Sequence, residues 1–338
     1  MPEAFLSSFH PLGDSDVSAL LSTSWGLTEA TWSAFGSERD DTLHVTCPEG
    51  EYVLKVSHPT DNHDRLHRQL SMMSFVGKHS LPFATQTPVP TVTGGPTAMT
   101  NGRLAHLLPY LPGTPIRHSP LDADGVGAVG AAVWHLQKLL ADYPDPYDTE
   151  HPWALGSVAG VAEHLDAVSP EAVREGCERI LEHVATDTLP RLASLPPHPT
   201  HNDAHTDNVL VEGGAVVGIV DWGDSVAQPW VADLAVAASY ARGYHPMWLS
   251  GDPWQAATCL RAGYVGAGGP DEHPDLFGEL VIARLIQRIV LNLAVANNAS
   301  DGGEYARRNM VNSVRDANDL FVTRPGNVFP RLGRDPLW

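Results

Sequence analysis

The sequence predicts an α+β fold in two lobes, a smaller β-rich one at the N-terminus and a larger, mostly helical one after it. Three observations lead there. Short strand-like runs separated by turn residues fill 31–57, apolar residues recur at helical spacing from 125 onward, and a Pro-rich stretch at 109–115 separates the two regimes. At 338 residues the chain is long enough for about two well-buried domains. The expected division is 1–108, a hinge at 109–115, and 116–338.

Each element has its own justification. A helix near 16–21 precedes strands around 31–35, 42–47 and 51–57, the last two joined by the turn Pro48-Glu49-Gly50. A helix over 61–76 carries Met72 and Met73 on its core side, where flexible thioethers fill packing gaps. The Pro- and Thr-rich connection 82–96 leads to a strand at 104–108. The second lobe opens with a helix over 125–141, in which Val126, Val129, Val133, Leu136 and Leu140 share one face. A helix over 173–189 then leads to Pro196-Pro197-His198-Pro199. Val209–Val211 and Val216–Val220 are strands joined by Glu212-Gly213-Gly214-Ala215, a Gly-Gly turn between β-branched runs. Beyond 233 the chain reads as helical, with Ile282, Leu285, Ile286, Ile289, Val290 and Leu293 on one buried face.

Chemistry concentrates in two segments, His201-Asn202-Asp203-Ala204-His205-Thr206-Asp207-Asn208 and Ile219-Val220-Asp221-Trp222-Gly223-Asp224. Phosphoryl transfer needs an acidic residue to orient the attacking hydroxyl and oxygen ligands to hold magnesium on the phosphates. Asp203 and Asn208 are spaced so that a tight loop turns one toward the hydroxyl and the other toward the metal. The hairpin between the segments returns the chain, so that Asp221 emerges beside Asn208, where a hard cation can bridge both. Lys55 is one of only three lysines and sits in Tyr52-Val53-Leu54-Lys55-Val56, where a kinase places its phosphate-binding lysine. Its plainer use is an edge-strand lysine that guards against aggregation.

Taken together, Tyr-Val-Leu-Lys-Val, the apolar linker Leu107-Leu108-Pro109-Tyr110-Leu111-Pro112-Gly113, His-x-Asp-x-x-x-x-Asn and Ile-x-Asp-Trp-Gly-Asp resemble the aminoglycoside phosphotransferase and choline kinase superfamily over residues 30–240. The stretch 37–45, Arg284-Leu285-Ile286-Gln287-Arg288 and Asp301-Gly302-Gly303-Glu304-Tyr305 are similar to its hydroxylysine kinase branch. The resemblance implies a protein-kinase-like fold. It implies Asp203 as catalytic base, Asn208 and Asp221 as magnesium ligands, and Lys55 on the α- and β-phosphates. Main-chain groups around Leu108, Tyr110 and Leu111 would hold the base of ATP or GTP, and the turn with Ser37, Asp40 and Thr42 would close over the phosphates. Asp233, a little after the metal motif, matches a buried aspartate that orders the loop.

Two departures from that family stand out. No Gly-x-Gly-x-x-Gly precedes Lys55. Between Glu51 and Glu150 there is no glutamate, although active kinases pair the strand lysine with one on the next helix. Asp64 and Gln69 are the polar substitutes there, Gln69 through a neutral and hence weaker hydrogen bond.

Composition narrows the setting. A net charge of −19 disfavours nucleic acid and anionic membranes, which require Lys and Arg, and favours a cationic acceptor. No apolar run reaches membrane length and no signal pattern opens the chain, so a cytoplasmic monomer or homodimer is expected. Cys47, Cys177 and Cys259 read as reduced thiols, and the seventeen histidines as scattered. Asp224 is the first candidate for contacting an amine on the acceptor. Arg284, Arg288 and Glu304 follow by resemblance, although Arg284 and Arg288, four apart, equally suit surface ion pairs. The expected function is phosphorylation of a hydroxyl on a small amine-bearing acceptor, a hydroxylysine-like hydroxy amino acid or amino alcohol. One alternative is an aminoglycoside or other antibiotic acceptor; another is a catalytically weak nucleotide-binding regulator, motivated by the missing helix glutamate.

Overall fold

The computed structural model describes residues 10–35, 40–169, 171–271, 273–298, 313–317 and 319–320. The fold is α+β, and the chain forms two compact units, one from residues within 7–80 and 84–112, the other chiefly from 113 onward.

The first unit contains α1 (Asp14–Trp25), β1 (Thr31–Ala34), β2 (Asp41–Cys47), β3 (Gly50–Val56), α2 (His63–Val76), β4 (Ala84–Thr85), β5 (Ala98–Thr100) and β6 (Arg103–Pro109). Its antiparallel sheet has the order β1-β2-β3-β6-β5. Alternation puts Val45, Leu54, Val56, Ala105 and Leu107 into one core with Val17, Leu20, Leu21 and Trp25 of α1. α2 begins where Asn62 caps it, its side chain accepting from the backbone N–H groups of Asp64 and Arg65 at 2.9 and 3.3 Å. Arg103, buried at the start of β6, closes one end of this sheet. Its guanidinium donates to Asp41 at 2.8 Å and to the carbonyls of Val56 and Ser57 at 2.9 and 2.6 Å. The Asp41 carboxylate also accepts from the Leu12 N–H at 3.1 Å.

The second unit contains β7 (Thr114–Pro115), α3 (Ala123–Leu140), α4 (Glu171–His183), α5 (Leu189–Ala193), β8 (His198–Thr200), β9 (Val209–Glu212), β10 (Ala215–Ile219), β11 (Val226–Gln228), α6 (Trp230–Ala238), α7 (Gln255–Gly266) and α8 (Pro274–Asn298). The single helix expected over 173–189 is interrupted. α4 stops at His183 and a π-helical turn, Val184–Thr188, leads into α5, which has Pro190 in its first turn. Proline has no N–H to continue an α-helical ladder and its ring crowds the preceding turn, so the backbone widens there.

Two packing features set the positions of the site elements. α8 is buried around its whole circumference, not on one face, with Leu280, Val281, Ile282, Ala283, Leu285 and Ile286 all shielded. Its polar residues therefore lie inside the unit as well. α3 and α7 cross at small residues: a Cβ added at Gly130 would meet the Leu260 carbonyl and, at 2.9 Å, the Tyr264 nitrogen, whereas one at Gly127 finds nothing closer than 3.7 Å. Gly130→Ala should therefore lower stability by about 1–3 kcal/mol in chemical denaturation, with Gly127→Ala close to neutral as the control. Equal effects from both would show that the helices separate freely. Among the described residues no helix is long and apolar enough to cross a membrane.

Candidate active site

Two short antiparallel pairs frame the site. β8 pairs with β11, and β9 with β10. The loop 201–208 runs from β8 to β9 and the loop 220–225 from β10 to β11, so the two loops leave the same ends of the two pairs side by side. The β9–β10 turn uses Gly213 and Gly214, both at positive φ (58° and 84°), the conformation a two-residue hairpin turn requires. The Val220 N–H donates to the Asn208 carbonyl at 2.9 Å and so brings the Asp221 end of one loop against the Asn208 end of the other.

Asn202 holds the first loop in place. Its backbone is left-handed (φ 63°), which asparagine tolerates better than most residues. Its N–H donates to Asp233 Oδ1 at 2.7 Å, and its side-chain amide donates to the carbonyls of Asp224 and Trp153 at 3.0 and 3.3 Å. Its amide oxygen accepts from Gln228 at 2.8 Å. The second oxygen of Asp233 accepts from Gln137 at 2.8 Å, and Gln137 accepts from the Tyr264 hydroxyl at 2.8 Å. Loop, α6, α3 and α7 are thereby tied through one buried carboxylate. Burial pushes the Asp233 carboxyl up to about 6, against the pull of the Gln137 and Asn202 hydrogen bonds and the nearby Arg284 charge. Sequence reasoning reached Asp233 as a loop-ordering residue; Gln137, Tyr264 and Trp153 carry no motif and were not found.

The raised value fixes a sign. Between about pH 4 and 6 folded Asp233 holds its proton while the unfolded residue has released it, so this group's stabilising contribution is present below that window and declines as pH rises through it. Relative to Asp233→Asn, the wild type should lose about 1–3 kcal/mol of unfolding free energy across that window; a flat difference would show that Asp233 is ionised throughout.

Asp203 lies at the apex of the loop, partly buried. Its carboxylate accepts from the Asn208 side-chain amide at 2.6 Å and stands 3.3 Å from His205 Nε2. Its carbonyl also accepts from that amide, at 3.0 Å. The Arg284 guanidinium is 3.7 Å from the other carboxylate oxygen. His205 accepts from the Asp207 N–H through Nδ1 at 3.1 Å, which directs its Nε2 proton at Asp203. Burial opposes charge on that ring, but the carboxylates of Asp203 and Asp207 together outweigh it and leave the His205 pKa raised. His201 is the opposite case: burial lowers it to about 4, so it stays neutral, edge-on to Trp222 at 5.0 Å.

The donor set near Asn208 suits a hard cation. The Asn208 amide nitrogen is spent on Asp203, which leaves its amide oxygen able to accept a cation, and the Asp221 carboxylate, on a left-handed residue (φ 62°), comes from the adjoining loop end.

The described residues named for the nucleotide lie in the first unit. Lys55 is buried on β3, opposite Thr42 on β2 and His106 on β6. Gln69 is buried on α2. Asp40 and Thr42 are half-buried, Leu108 is buried on β6, Leu111 is half-buried, and Tyr110 is exposed with its N–H bonded to the Glu51 carbonyl at 3.0 Å. Ser37 and Glu304 lie outside the described residues.

Comparison with known proteins identifies the family. The family model described as the phosphotransferase enzyme family, APH, matches residues 31–266. The chain belongs to that family. It is therefore a kinase with a hydroxyl group as acceptor, and the resemblance drawn from the motifs holds. The phosphotransferase is similar to the hydroxylysine kinase of Danio rerio, at 25% identity over 317 residues and 87% of each chain. That of Xenopus laevis is also 25% identical, over 75% of this chain and 74% of its own. Among solved structures, an amicoumacin kinase in complex with AMP-PNP and Ca2+ superposes with a TM-score of 0.69 at 12% identity, covering 88% of this chain and 93% of its own. A microcompartment-associated aminopropanol kinase gives 0.62 at 14%, covering 90% and 96%. Both carry the same bilobal, protein-kinase-like fold.

The candidate acceptor residues of the phosphotransferase separate by burial. Asp224 is half-buried, 3.7 Å from His151 Nε2, and its carbonyl is held by Asn202. Arg284 and Arg288 do not form surface ion pairs, because α8 carries both into the interior at 1% and 5% exposure. Arg284 donates to the Trp153 carbonyl and to Gln287 and lies 4.8 Å from the centroid of the Trp153 ring. Arg288 donates to the Ser239 carbonyl at 3.1 Å and stacks on Tyr240 at 3.6 Å, while Tyr240 stacks on His205 at 4.8 Å. A cationic layer thus backs the Asp203 loop.

Proposed function

We propose that this phosphotransferase moves the γ-phosphate of ATP, or of GTP, to a hydroxyl of a small hydroxy amino acid or amino alcohol, with hydroxylysine-like acceptors first. The observation that carries the reading is the pairing of Asp203 with buried arginine. Asp203 is held by Asn208 and His205, so one carboxylate oxygen is positioned to take the proton of an acceptor hydroxyl as it attacks phosphorus. Arg284 and Arg288 stand behind the loop, where Nε of Arg288 is buried without a hydrogen-bond partner among the described residues. The positive charge of this buried pair would favour an acceptor carboxylate on the open side of the loop, and Asp224 would take its amine. The similarity to hydroxylysine kinases supports the same class of acceptor.

Asn208 and Asp221 would hold magnesium, whose charge neutralises the phosphate oxygens when bound. Lys55 would contact the α- and β-phosphates, with the main chain at Leu108, Tyr110 and Leu111 on the base and the turn with Ser37, Asp40 and Thr42 over the phosphates. The division at 109–115 would serve as the hinge, and Glu304 is kept as an acceptor contact by resemblance. Gln69 is the proposed neutral partner of Lys55.

The test is magnesium-dependent release of ADP or GDP across hydroxy amino acids, amino alcohols, aminoglycosides and other hydroxyl-bearing antibiotics, in a cytoplasmic-type reducing buffer. Turnover with a hydroxy amino acid or amino alcohol, dependent on Asp203, supports the proposal. Turnover with an antibiotic alone would replace the acceptor class, and nucleotide binding without turnover on any of them would favour a regulator.

A further inference from the structure

Tyr240 lies in the turn after α6, where its N–H donates to the Ala237 carbonyl at 3.2 Å and its carbonyl accepts from the Gly243 N–H at 2.8 Å. Its ring stacks on His205 at 4.8 Å and 24°, and the Arg288 guanidinium lies over it at 3.6 Å. His205 in turn stands 3.3 Å from the Asp203 carboxylate. The stack and the cation fix the plane of the ring, but neither uses its hydroxyl. That hydroxyl makes no hydrogen bond among the described residues. Tyr240 is half-buried and, unlike Nε of Arg284 and Arg288, its oxygen is not sealed from solvent. A fixed, reachable hydroxyl with no protein partner is free to bond a ligand.

The charges that act on this phenol are those of the active site. Burial pushes its pKa up, Arg288 and Arg284 pull it down, and Asp203 and Asp224 push it up again. The phenol therefore keeps its proton near neutral pH and stands as a donor within electrostatic reach of Asp203 and Asp224. The arginines themselves are 1% and 5% exposed, and Arg288 is engaged by the Ser239 carbonyl and the ring. A cation over the face of a phenol draws density from the ring and strengthens its O–H as a donor to an anion. Positive charge that a ligand cannot touch is thus expressed at a group it can touch.

We infer, on the reading that the acceptor is a small hydroxy amino acid or amino alcohol, that Tyr240 is a specificity-determining residue whose hydroxyl donates to the acceptor carboxylate. Each polar group of a hydroxy amino acid then has its own partner: Asp203 for the hydroxyl, Asp224 for the amine, Tyr240 for the carboxylate. An amino alcohol of the same shape lacks the third contact and binds more weakly.

The experiment compares the hydroxy amino acid turned over fastest with its carboxamide, which keeps the hydroxyl and amine and loses the negative charge, in the wild type and in Tyr240→Phe. Phenylalanine keeps the ring, with its stack on His205 and its contact with Arg288, and removes a hydroxyl that bonds nothing in the protein. The wild type should show a KM for the carboxamide about tenfold or more above that for the amino acid. In Tyr240→Phe the amino acid's KM should rise by about tenfold or more, with kcat little changed. The carboxamide's KM and the affinity for nucleotide should stay as they were, the latter showing that the fold is intact. An equal rise in KM for both acceptors, a loss confined to kcat, or no change overturns the role of Tyr240 and leaves the acceptor class standing. Turnover of amino alcohols with no hydroxy amino acid accepted overturns it too, and keeps only that half of the class. Silence on all of them removes the acceptor class itself, and the role of Tyr240 with it.

Discussion

Asp203→Asn is expected to reduce turnover by about 10²–10⁴ with little change in nucleotide affinity. The substitution conserves volume, and the new carbonyl oxygen can still accept from the Asn208 amide, so the loop keeps its shape. What disappears is the negative charge that faces His205 Nε2 at 3.3 Å and the Arg284 guanidinium at 3.7 Å, and with it the capacity to take a proton. The loss should fall on kcat, since an interaction made only in the transition state leaves substrate binding unaltered. Steady-state kinetics alongside nucleotide titration provide the check. An unchanged kcat would remove Asp203 from the reaction and turn attention to other acids of the loop.

Arg103→Met should cost about 3–5 kcal/mol of the first unit's stability, because it strands a buried carboxylate. Asp41 and Arg103 are 8% and 5% exposed at their side chains, and the arginine also bonds the end of β3 through the carbonyls of Val56 and Ser57. Once it is gone, Asp41 keeps the Leu12 N–H but has lost its counter-ion. The double replacement Asp41→Leu with Arg103→Met should recover a good part of the loss, since a buried ion pair is often replaceable by apolar residues of similar size. Urea unfolding of the four proteins measures the coupling between the two sites. Additive losses would show that Asp41 is adequately satisfied without Arg103. The consequence extends past stability, because Asp41 adjoins Thr42, which pairs with Lys55. Loosening that corner should weaken nucleotide binding as well.

Much of the frame was legible because its signals are local. The β-branched runs around Gly213-Gly214, the alternation in Tyr52–Val56 and the helical spacing from Val126 to Leu140 each specify an element without reference to distant residues, and each element is found. The motif also predicts which residues adjoin, since a hairpin must bring residue 208 back to 220. What escaped notice depends on tertiary register. Asn202 and Asp233 are 31 residues apart, and Gln137 and Tyr264 are 127 apart; no pattern in the chain marks either pair. The arginines of α8 were open to a surface reading because an i, i+4 pair of charges looks solvent-facing until the surrounding helices are known. The break between α4 and α5 was missed since apolar spacing runs on past it, although Pro190 was the available warning.

Asn202 bonds to Trp153, Asp224, Gln228 and Asp233, and so fastens the first loop both to residue 153 and to three points along the stretch 224–233. No strand of the two loops can therefore peel away while the rest stays closed, and backbone amides of 201–208 and 222–228 should exchange with deuterated solvent at one common rate, as a single opening unit. Thermal inactivation of the phosphotransferase would then begin as a cooperative local event at its reactive centre, before either folded unit melts.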